Sequence, residues 1–314
     1  ESAEANKPIR PGKLRIGTAG FSSNHWAGHF YPPRVKKSED QLEAYQDTFS
    51  AVEINGTFYG MPAESTISQW KRRSADGFEM SLKVPKSVTH DGQLDSPEAL
   101  EGLWIFVNRA KALGTNLGPV LFQCPRSLTA NVQKLIAVSK VLEEVPSMRV
   151  AMEFRDESWF ADEKVQSFMR EKNWALVDHP NSIGRATAGA GTSQDSERTH
   201  YALQPLRGTC TASFAYIRLH GNCDDHTYRY SNAELQSIAA ELHNMRMRGV
   251  DVYCFMLNDD DTAAMPQNAR QLLKATHELQ GEPLPKGPGL ARQRSLKSFF
   301  SGGGGPPEKK LKAA

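Results

Sequence analysis

Three short apolar segments of the chain each carry two polar residues spaced two positions apart: Glu53 and Asn55, Glu153 and Arg155, and Arg218 and His220. Side chains alternate between the two faces of a β-strand, so both members of each pair point to the same side. The residue between them is apolar in every case. The spacing therefore predicts three buried strands that direct polar side chains into one pocket.

Other apolar segments end in single polar residues, and His90 follows one of them closely. We predict four catalytic residues in the pocket: Glu53, Glu153, His220 and His90. We predict that the substrate is bound by the remaining polar side chains: Asn55, Lys83, Gln123, Arg155, Asp178, Arg218 and Asn258.

Paired carboxylates and imidazoles are suited to proton transfer. Neighbouring Arg and Lys side chains can separate the pKa values of Glu53 and Glu153, so that one acts as an acid and the other as a base. His220 and His90 are further proton-transfer candidates, because an imidazole titrates near neutral pH.

A divalent metal is an alternative occupant of the pocket, since Glu53, Glu153, Asp178 and His220 offer oxygen and imidazole ligands. The sequence does not identify a cofactor, and we assign no residue as a metal ligand. The cations Lys83, Arg155 and Arg218 nearly balance the carboxylates, which favours an anionic substrate. Arginine binds phosphate through two parallel hydrogen bonds, so a phosphate-bearing ligand fits best.

Eight β-rich segments must position these residues, at 14–19, 51–55, 79–84, 119–123, 149–155, 175–178, 214–220 and 251–258. Apolar residues at helical period lie between them, at 41–48, 130–145, 162–172 and 233–248. Ser38 with Gln41 and Ser231 with Glu234 have capping-box spacing. The alternation predicts an α/β fold, a single (β/α)8 TIM barrel with an irregular connection between the sixth and seventh strands. An open doubly wound sheet is the alternative, although no glycine-rich turn follows the first strand.

Composition agrees with one large domain, since 39% of the 314 residues are hydrophobic and 24% are charged. We predict a flexible segment at 1–12, a barrel at 13–283 with a mobile insertion at 181–213, and a disordered tail at 284–314. No apolar run approaches the roughly 18 residues of a membrane span. Four cysteines without CxxC spacing argue against a zinc site and favour a reducing compartment.

The net charge of +2 is unevenly distributed. Residues 284–314 contain seven Lys or Arg and one Glu, so the tail carries +6 and the rest of the chain −4. An acidic body argues against broad, non-specific binding of nucleic acid.

The tail contains a short motif of the form Q-x-x-L-x-x-F-F, formed by Gln293, Leu296, Phe299 and Phe300. It resembles the PCNA-interacting peptide (PIP box), which binds the DNA sliding clamp. In one helical turn the three apolar side chains lie on one side and form a plug for a groove. The basic end at 309–312 resembles a nuclear-import signal, so we expect the nucleus, or otherwise the cytoplasm.

The strand ends also carry a family resemblance. The matching motifs include Ile16-Gly17-Thr18-Ala19-Gly20-Phe21, Val52-Glu53-Ile54-Asn55-Gly56-Thr57-Phe58-Tyr59, Glu153-Phe154-Arg155 and Arg218-Leu219-His220-Gly221. Over residues 13–278 the chain resembles the domain-of-unknown-function 72 (YecE-like) family. The resemblance implies a TIM barrel and supplies no reaction. Asp156, Cys124 and the long 181–213 insertion depart from the family pattern.

Three functions fit these observations. The first is an enzyme of DNA metabolism or repair, hydrolase-like, that is recruited by the clamp motif and acts on a phosphate-containing substrate. The second is a hydrolase or isomerase of a sugar or sugar phosphate. The third is a ligand-binding module without catalysis.

Overall fold

The computed structural model describes residues 10–178, 211–221, 227–259, 262–281 and 283–290. Eight strands, β1 to β8, run in chain order at Leu14–Thr18, Ala51–Ile54, Glu79–Leu82, Val120–Gln123, Val150–Glu153, Ala175–Asp178, Phe214–Leu219 and Asp251–Met256. The helices of these residues, α1 to α9, lie at Ser38–Tyr45, Gly56–Tyr59, Glu64–Arg73, Pro97–Ala110, Val132–Leu142, Ser158–Ala161, Glu163–Glu171, Asn232–Met247 and Ala264–Glu278. All eight strands fall within the predicted segments.

Local sequence signals explain the helix boundaries unevenly. The capping box at the start of α8 is confirmed, because Ser231 and Glu234 each bond to the other's backbone N–H. The box predicted for Ser38 and Gln41 is wrong. Helix α1 begins at Ser38, and Lys37 is its N-cap residue. The Gln41 side chain instead accepts a hydrogen bond from the Ser22 hydroxyl and donates one to the Ser23 carbonyl.

All described strand pairs are parallel, and they form two ladders. One ladder has six strands in the order β1-β8-β7-β6-β5-β4, and the other pairs β2 with β3. Single bridges join the two ladders, between Ala19 and Glu53 and between Lys83 and Leu121. The α/β class with a curled parallel sheet is therefore confirmed. The uninterrupted eight-stranded barrel is not shown, because regular pairing stops on both sides of the four-residue strands β2 and β3.

The strands bury both faces, as parallel strands under helices must. One face carries a compact apolar cluster, which defines the inner face of the sheet: Ala51, Leu121, Ala151, Ala175, Val177, Phe214, Tyr216, Tyr253 and Phe255. The alternate residues, among them Ile217 and Cys254, join the larger core that includes helix residues. Cys124 and Cys254 are buried and free.

The structure describes packed residues at the end of the predicted insertion and at the start of the predicted tail. Thr211 bonds to the backbone of Trp174 and Leu176, so the body resumes before residue 213. Residues 283–290 lie against the end of α1, although the sequence predicts a disordered tail from residue 284. Gly287 and Gly289 donate backbone hydrogen bonds to Asp47 and Gln46 at 3.3 and 2.9 Å. The segment 283–290 therefore packs on the body, and its glycines allow the close approach.

Within the part of the chain that the structure describes, no helix is long and apolar enough to cross a lipid bilayer.

Candidate functional site

Arg218 lies at the centre of a buried charge network on the inner face. Its Nε and Nη2 donate to the two carboxylate oxygens of Glu53 at 3.0 and 2.9 Å. Its Nη1 donates to Glu153. Glu53, Glu153 and Arg218 are each at most 1% exposed. One guanidinium therefore holds both of the predicted acid–base carboxylates.

The network continues on both sides of these three residues. Arg155 donates from Nε and Nη2 to Oε1 of Glu153, both at 2.9 Å. The Tyr216 hydroxyl donates to Glu53 at 2.8 Å. Because its side chain is 29% exposed, Arg155 is the most accessible charge in this chain of contacts.

Strand geometry explains why these side chains converge. Glu53, Glu153 and Arg218 lie two positions beyond the inner-face residues Ala51, Ala151 and Tyr216, near the carboxyl ends of β2, β5 and β7. We call this end of the sheet the mouth. The mouth cluster comprises Glu53, Lys83, Glu153, Arg155, Tyr216 and Arg218.

Lys83 differs from the arginines because it has no ion-pair partner among the described residues. It is 8% exposed, and its Nζ lies 4.0 Å from the centre of the Phe58 ring. Burial lowers the pKa of Lys83 to about 8, and the nearby Arg218 acts in the same direction, while Glu53 and Glu153 oppose it. The amine can therefore change protonation near neutral pH.

His90 lies on the π-helical turn Ser87–Asp91, close to the charge of Lys83. Its ring contacts the edge of Phe58 at a centroid distance of 5.0 Å, and Nδ1 lies 2.9 Å from the Thr89 hydroxyl. Burial lowers the pKa of His90, and the positive charge of Lys83 lowers it further. These shifts favour a neutral imidazole, which can accept a proton.

Gln123 and Asn55 also end strands at the mouth. Gln123 pairs in register with Glu153 and is half-buried. Asn55 directly precedes α2, and its buried Oδ1 has no hydrogen-bond partner among the described residues. An unpaired buried acceptor is costly unless a ligand or water satisfies it, which makes Asn55 a candidate contact. His220 is buried directly after β7.

The structure does not bring Asp178 to the mouth. Asp178 pairs with Ile217, and Ile217 pairs with Cys254, both of which belong to the outer core. The preceding residue Val177 occupies the inner face, so Asp178 points away from it. The prediction relied on the position of Asp178 at the end of the strand, and a shift of one position reverses the face to which a side chain points.

Asn258 is displaced from the mouth for the same reason. Its neighbour Leu257 packs against the inner cluster, whereas Asn258 donates to the backbone of Tyr228 and to Asn268 of α9. Asp259 lies one residue further on and accepts a hydrogen bond from Trp26 at 2.9 Å.

The four ligands of the alternative metal site are not assembled as predicted. Asp178 faces the outer core, and Arg218 lies between Glu53 and Glu153. Among the described residues, no group of three or more acidic, His or Cys side chains is arranged to hold a metal ion.

Sequence reasoning missed Tyr216 and the position of Phe58 over Lys83. Tyr216 lies two positions before Arg218, so strand alternation alone would have placed it on the same face. The contact between Phe58 and Lys83 joins two different connections and had no signal in either segment. Gln293, Leu296, Phe299 and Phe300 lie outside the described residues, as does the basic end at 309–312.

A curled parallel α/β sheet with a charge-paired polar mouth defines the structural class of this chain. The family model described as protein of unknown function DUF72 matches residues 15–291, so the chain belongs to the DUF72 family. This confirms the family resemblance of the strand-end motifs.

Relatives agree with this membership. The chain is 22% identical to UPF0759 protein YunF of Bacillus subtilis (strain 168) over 281 residues, which cover 83% of this chain and 94% of YunF. A DUF72 family protein from Thermotoga maritima has a similar crystal structure, with a TM-score of 0.65 and 25% identity over 86% of this chain and all of the other. One from Enterococcus faecalis has a TM-score of 0.62 and 17% identity, covering 87% and 99%.

Proposed function

We propose that the mouth cluster binds a phosphate-bearing substrate and that the protein acts in DNA metabolism or repair. The observation that supports this proposal is the pairing of both carboxylates with Arg218. Three cations and two carboxylates leave the cluster with one positive charge when Lys83 is protonated. Lys83 and Arg155 are then the groups available to an incoming anion.

We infer that the two strand ladders together form one closed barrel. The bridges at Ala19–Glu53 and Lys83–Leu121 support this interpretation, because each lies at a boundary between the ladders. In such a barrel the carboxyl ends of all eight strands surround one opening, where barrel enzymes place their chemistry.

In this proposal Glu53 and Glu153 hold Arg218 in position, and proton transfer falls to Lys83 and His90. Each carboxylate oxygen of these two residues already accepts at least one hydrogen bond from a guanidinium. Lys83 and His90 have no such partner and have lowered pKa values. His220 and Gln123 complete the substrate contacts.

Binding to DNA tests the substrate assignment. The full chain is incubated at low salt with abasic, nicked and flapped DNA, with Mg²⁺, Mn²⁺ or Zn²⁺. We expect binding that weakens about tenfold in Arg155→Ala, as one charged hydrogen bond is lost. Arg270→Ala is the matched control, because Arg270 is exposed on α9. If the protein neither binds nor turns over any of these DNA molecules, the substrate assignment is wrong.

We further propose that the tail recruits the protein to the sliding clamp (PCNA) in the nucleus. Its support is the sequence pattern of Gln293, Leu296, Phe299 and Phe300. Binding of the full chain to purified PCNA should be lost in Phe299→Ala/Phe300→Ala. It should persist in Ser295→Ala/Ser298→Ala, which alters the variable positions of the motif. Equal binding by both variants would refute the recruitment.

A second candidate is a hydrolase or isomerase of a small phosphorylated sugar. The specific observation in its favour is the buried Lys83 amine against the Phe58 ring, because an amine whose pKa is lowered to about 8 is suited to proton transfer. Turnover of sugar phosphates, lost in Lys83→Met and with DNA inactive, would select this candidate. Ligand binding that persists without turnover of any substrate would select a binding module.

A further inference from the structure

A second cavity lies at the opposite end of the sheet from the mouth. Its volume is about 290 Å³, and it opens beside the amino ends of β1 and β2. We call it the lower crevice. Its basic and hydroxyl lining consists of Lys13, Arg15, Arg246, Lys286, Thr48 and Ser50, with His277 beside them.

The charge of the lower crevice is one-sided. Four of the side chains that line it are permanently or normally cationic, and none of its lining residues is acidic. The structure gives the Lys13 and Lys286 ammonium groups no hydrogen-bond or ion-pair partner among the described residues. Like charges held together repel one another, and an anion bound between them would relieve that repulsion.

Arg15 provides a buried donor at this site. It is 8% exposed, and its Nη2 pairs with Glu79. Glu79 is shared with Arg149, at 2.8 Å, and with the Tyr253 hydroxyl, at 2.7 Å. Arg15 and Arg149 together carry two positive charges, whereas Glu79 carries one negative charge. The Nε of Arg15 is buried without a hydrogen-bond partner among the described residues, which leaves a donor unsatisfied.

We propose that the lower crevice binds a small phosphate-bearing anion, such as a phosphate monoester or pyrophosphate. Ammonium, guanidinium and hydroxyl donors together form the usual set for phosphate oxygens. The volume is at the lower limit of ligand pockets, which suits a small anion rather than a dinucleotide. Arg246 already donates to the Gly12 carbonyl and to Gln280, so it contributes mainly through its charge.

The site also connects two parts of the chain. Lys13 immediately precedes β1, whereas Lys286 belongs to residues 283–290, which pack on the end of α1 and lead into the tail. An anion between these two lysines would fasten that segment to the body. Binding should therefore slow amide exchange in residues 283–290.

Titration of the full chain with pyrophosphate at low salt and pH 7 tests the proposal. Arg155→Ala serves as the background, because it removes the most accessible cation of the mouth. We expect calorimetry to show a site whose affinity is weakened about tenfold or more by Lys13→Ala/Lys286→Ala. Lys140→Ala/Lys164→Ala, on α5 and α7, removes two exposed charges elsewhere and should leave the affinity unchanged.

Amide exchange supplies the second readout. Saturating pyrophosphate should protect residues 283–290 in the background protein and in Lys140→Ala/Lys164→Ala, and should not do so in Lys13→Ala/Lys286→Ala. Thermal unfolding checks that each variant folds. Absence of binding below about 10 mM pyrophosphate, or equal affinity in the two double variants, would overturn the site. These outcomes are independent of DNA binding at the mouth.

Discussion

At the scale of single residues, the mouth is organised by the desolvation of Arg218. Removing a guanidinium from water costs several kcal/mol, and only close, well-oriented carboxylates offset that cost. Glu53 and Glu153 supply them. Tyr216 adds a second hydrogen bond to Oε2 of Glu53, and Arg155 donates to the oxygen of Glu153 that Arg218 does not contact. The pairing therefore stabilises the charges mutually, and none of the three central residues can change alone without exposing another to an apolar interior.

Glu53→Gln should destabilise the fold strongly. It leaves the buried Arg218 with one carboxylate, and we expect the free energy of unfolding to fall by about 3 kcal/mol. Urea denaturation measures the change. The control is Glu39→Gln, which breaks a partly exposed pair with Arg73 and should cost less than about 1 kcal/mol. Similar small losses in both variants would contradict a buried, essential pair.

The ionisation of Lys83 should control anion binding at the mouth. The pKa of Lys83 is lowered to about 8, so its positive charge is present below that pH and is lost above it. Affinity for the phosphate-bearing ligand should therefore fall as the pH rises from 7 to 9. Lys83→Arg should bind with a flat profile over this range, because arginine stays protonated. A falling profile in Lys83→Arg would assign the titration to another group.

At the scale of elements, the register of a strand decides which side chains reach the mouth. Asp178 and Asn258 were assigned by their nearness to a strand end, but each follows an inner-face residue and so points outward. A shift of one position reverses the face of every side chain. By contrast, Glu53, Glu153 and Arg218 were placed by two-residue spacing, and the structure brings them into contact.

Asp178→Asn should stabilise the protein at alkaline pH. Burial raises the pKa of Asp178 to about 7, from 3.8. Between these values the unfolded chain has released the proton that the folded chain retains, so stability falls as the pH rises through this window and stays reduced above 7. The gain should reach roughly 4 kcal/mol at most at pH 8 and be smaller at pH 5.

Thermal unfolding at the two pH values measures this effect. Asp76→Asn, at an exposed position before β3, is the control and should show little change at either pH. A gain in Asp178→Asn that is equal at pH 5 and pH 8 would contradict the raised pKa.

At the scale of the whole molecule, charge is concentrated at both ends of the sheet. At the mouth Arg155 and Arg218 pair with carboxylates. At the lower crevice Arg15 pairs with Glu79, whereas Lys13 and Lys286 have no such partner among the described residues. The last described segment, 283–290, passes the lower crevice on the way to the clamp motif.

Gly287→Ala should release the 283–290 segment. A Cβ at Gly287 would lie 2.2 Å from the Gln46 carbonyl oxygen and 2.4 Å from the carbonyl carbon of Asp47, so the backbone must move apart. We expect a loss of about 1–3 kcal/mol in unfolding free energy and faster amide exchange in this segment. Gly60→Ala is the control, since a Cβ at Gly60 would meet no described atom within 4 Å. Unchanged exchange in Gly287→Ala would show that the contact is dispensable.

The sequence by itself determined what depends on local pattern. Apolar runs and their spacing identified eight strands, the α/β class and the side-chain pairs of β2, β5 and β7, and the motifs at those strand ends identified the DUF72 family. These features could be predicted because alternation along a strand is fixed by backbone geometry. The clamp motif is equally local, and it remains a prediction.

Only the tertiary structure decided how the charges are used. Arg218 pairs with both carboxylates, Phe58 packs against Lys83, and Lys13 and Lys286 line one crevice. Each of these features depends on residues far apart in the chain. The interruption of the ladder beside β2 and β3 is likewise a property of packed neighbours. Burial and pairing set the energy of a charge, and neither can be known until the strands are placed side by side.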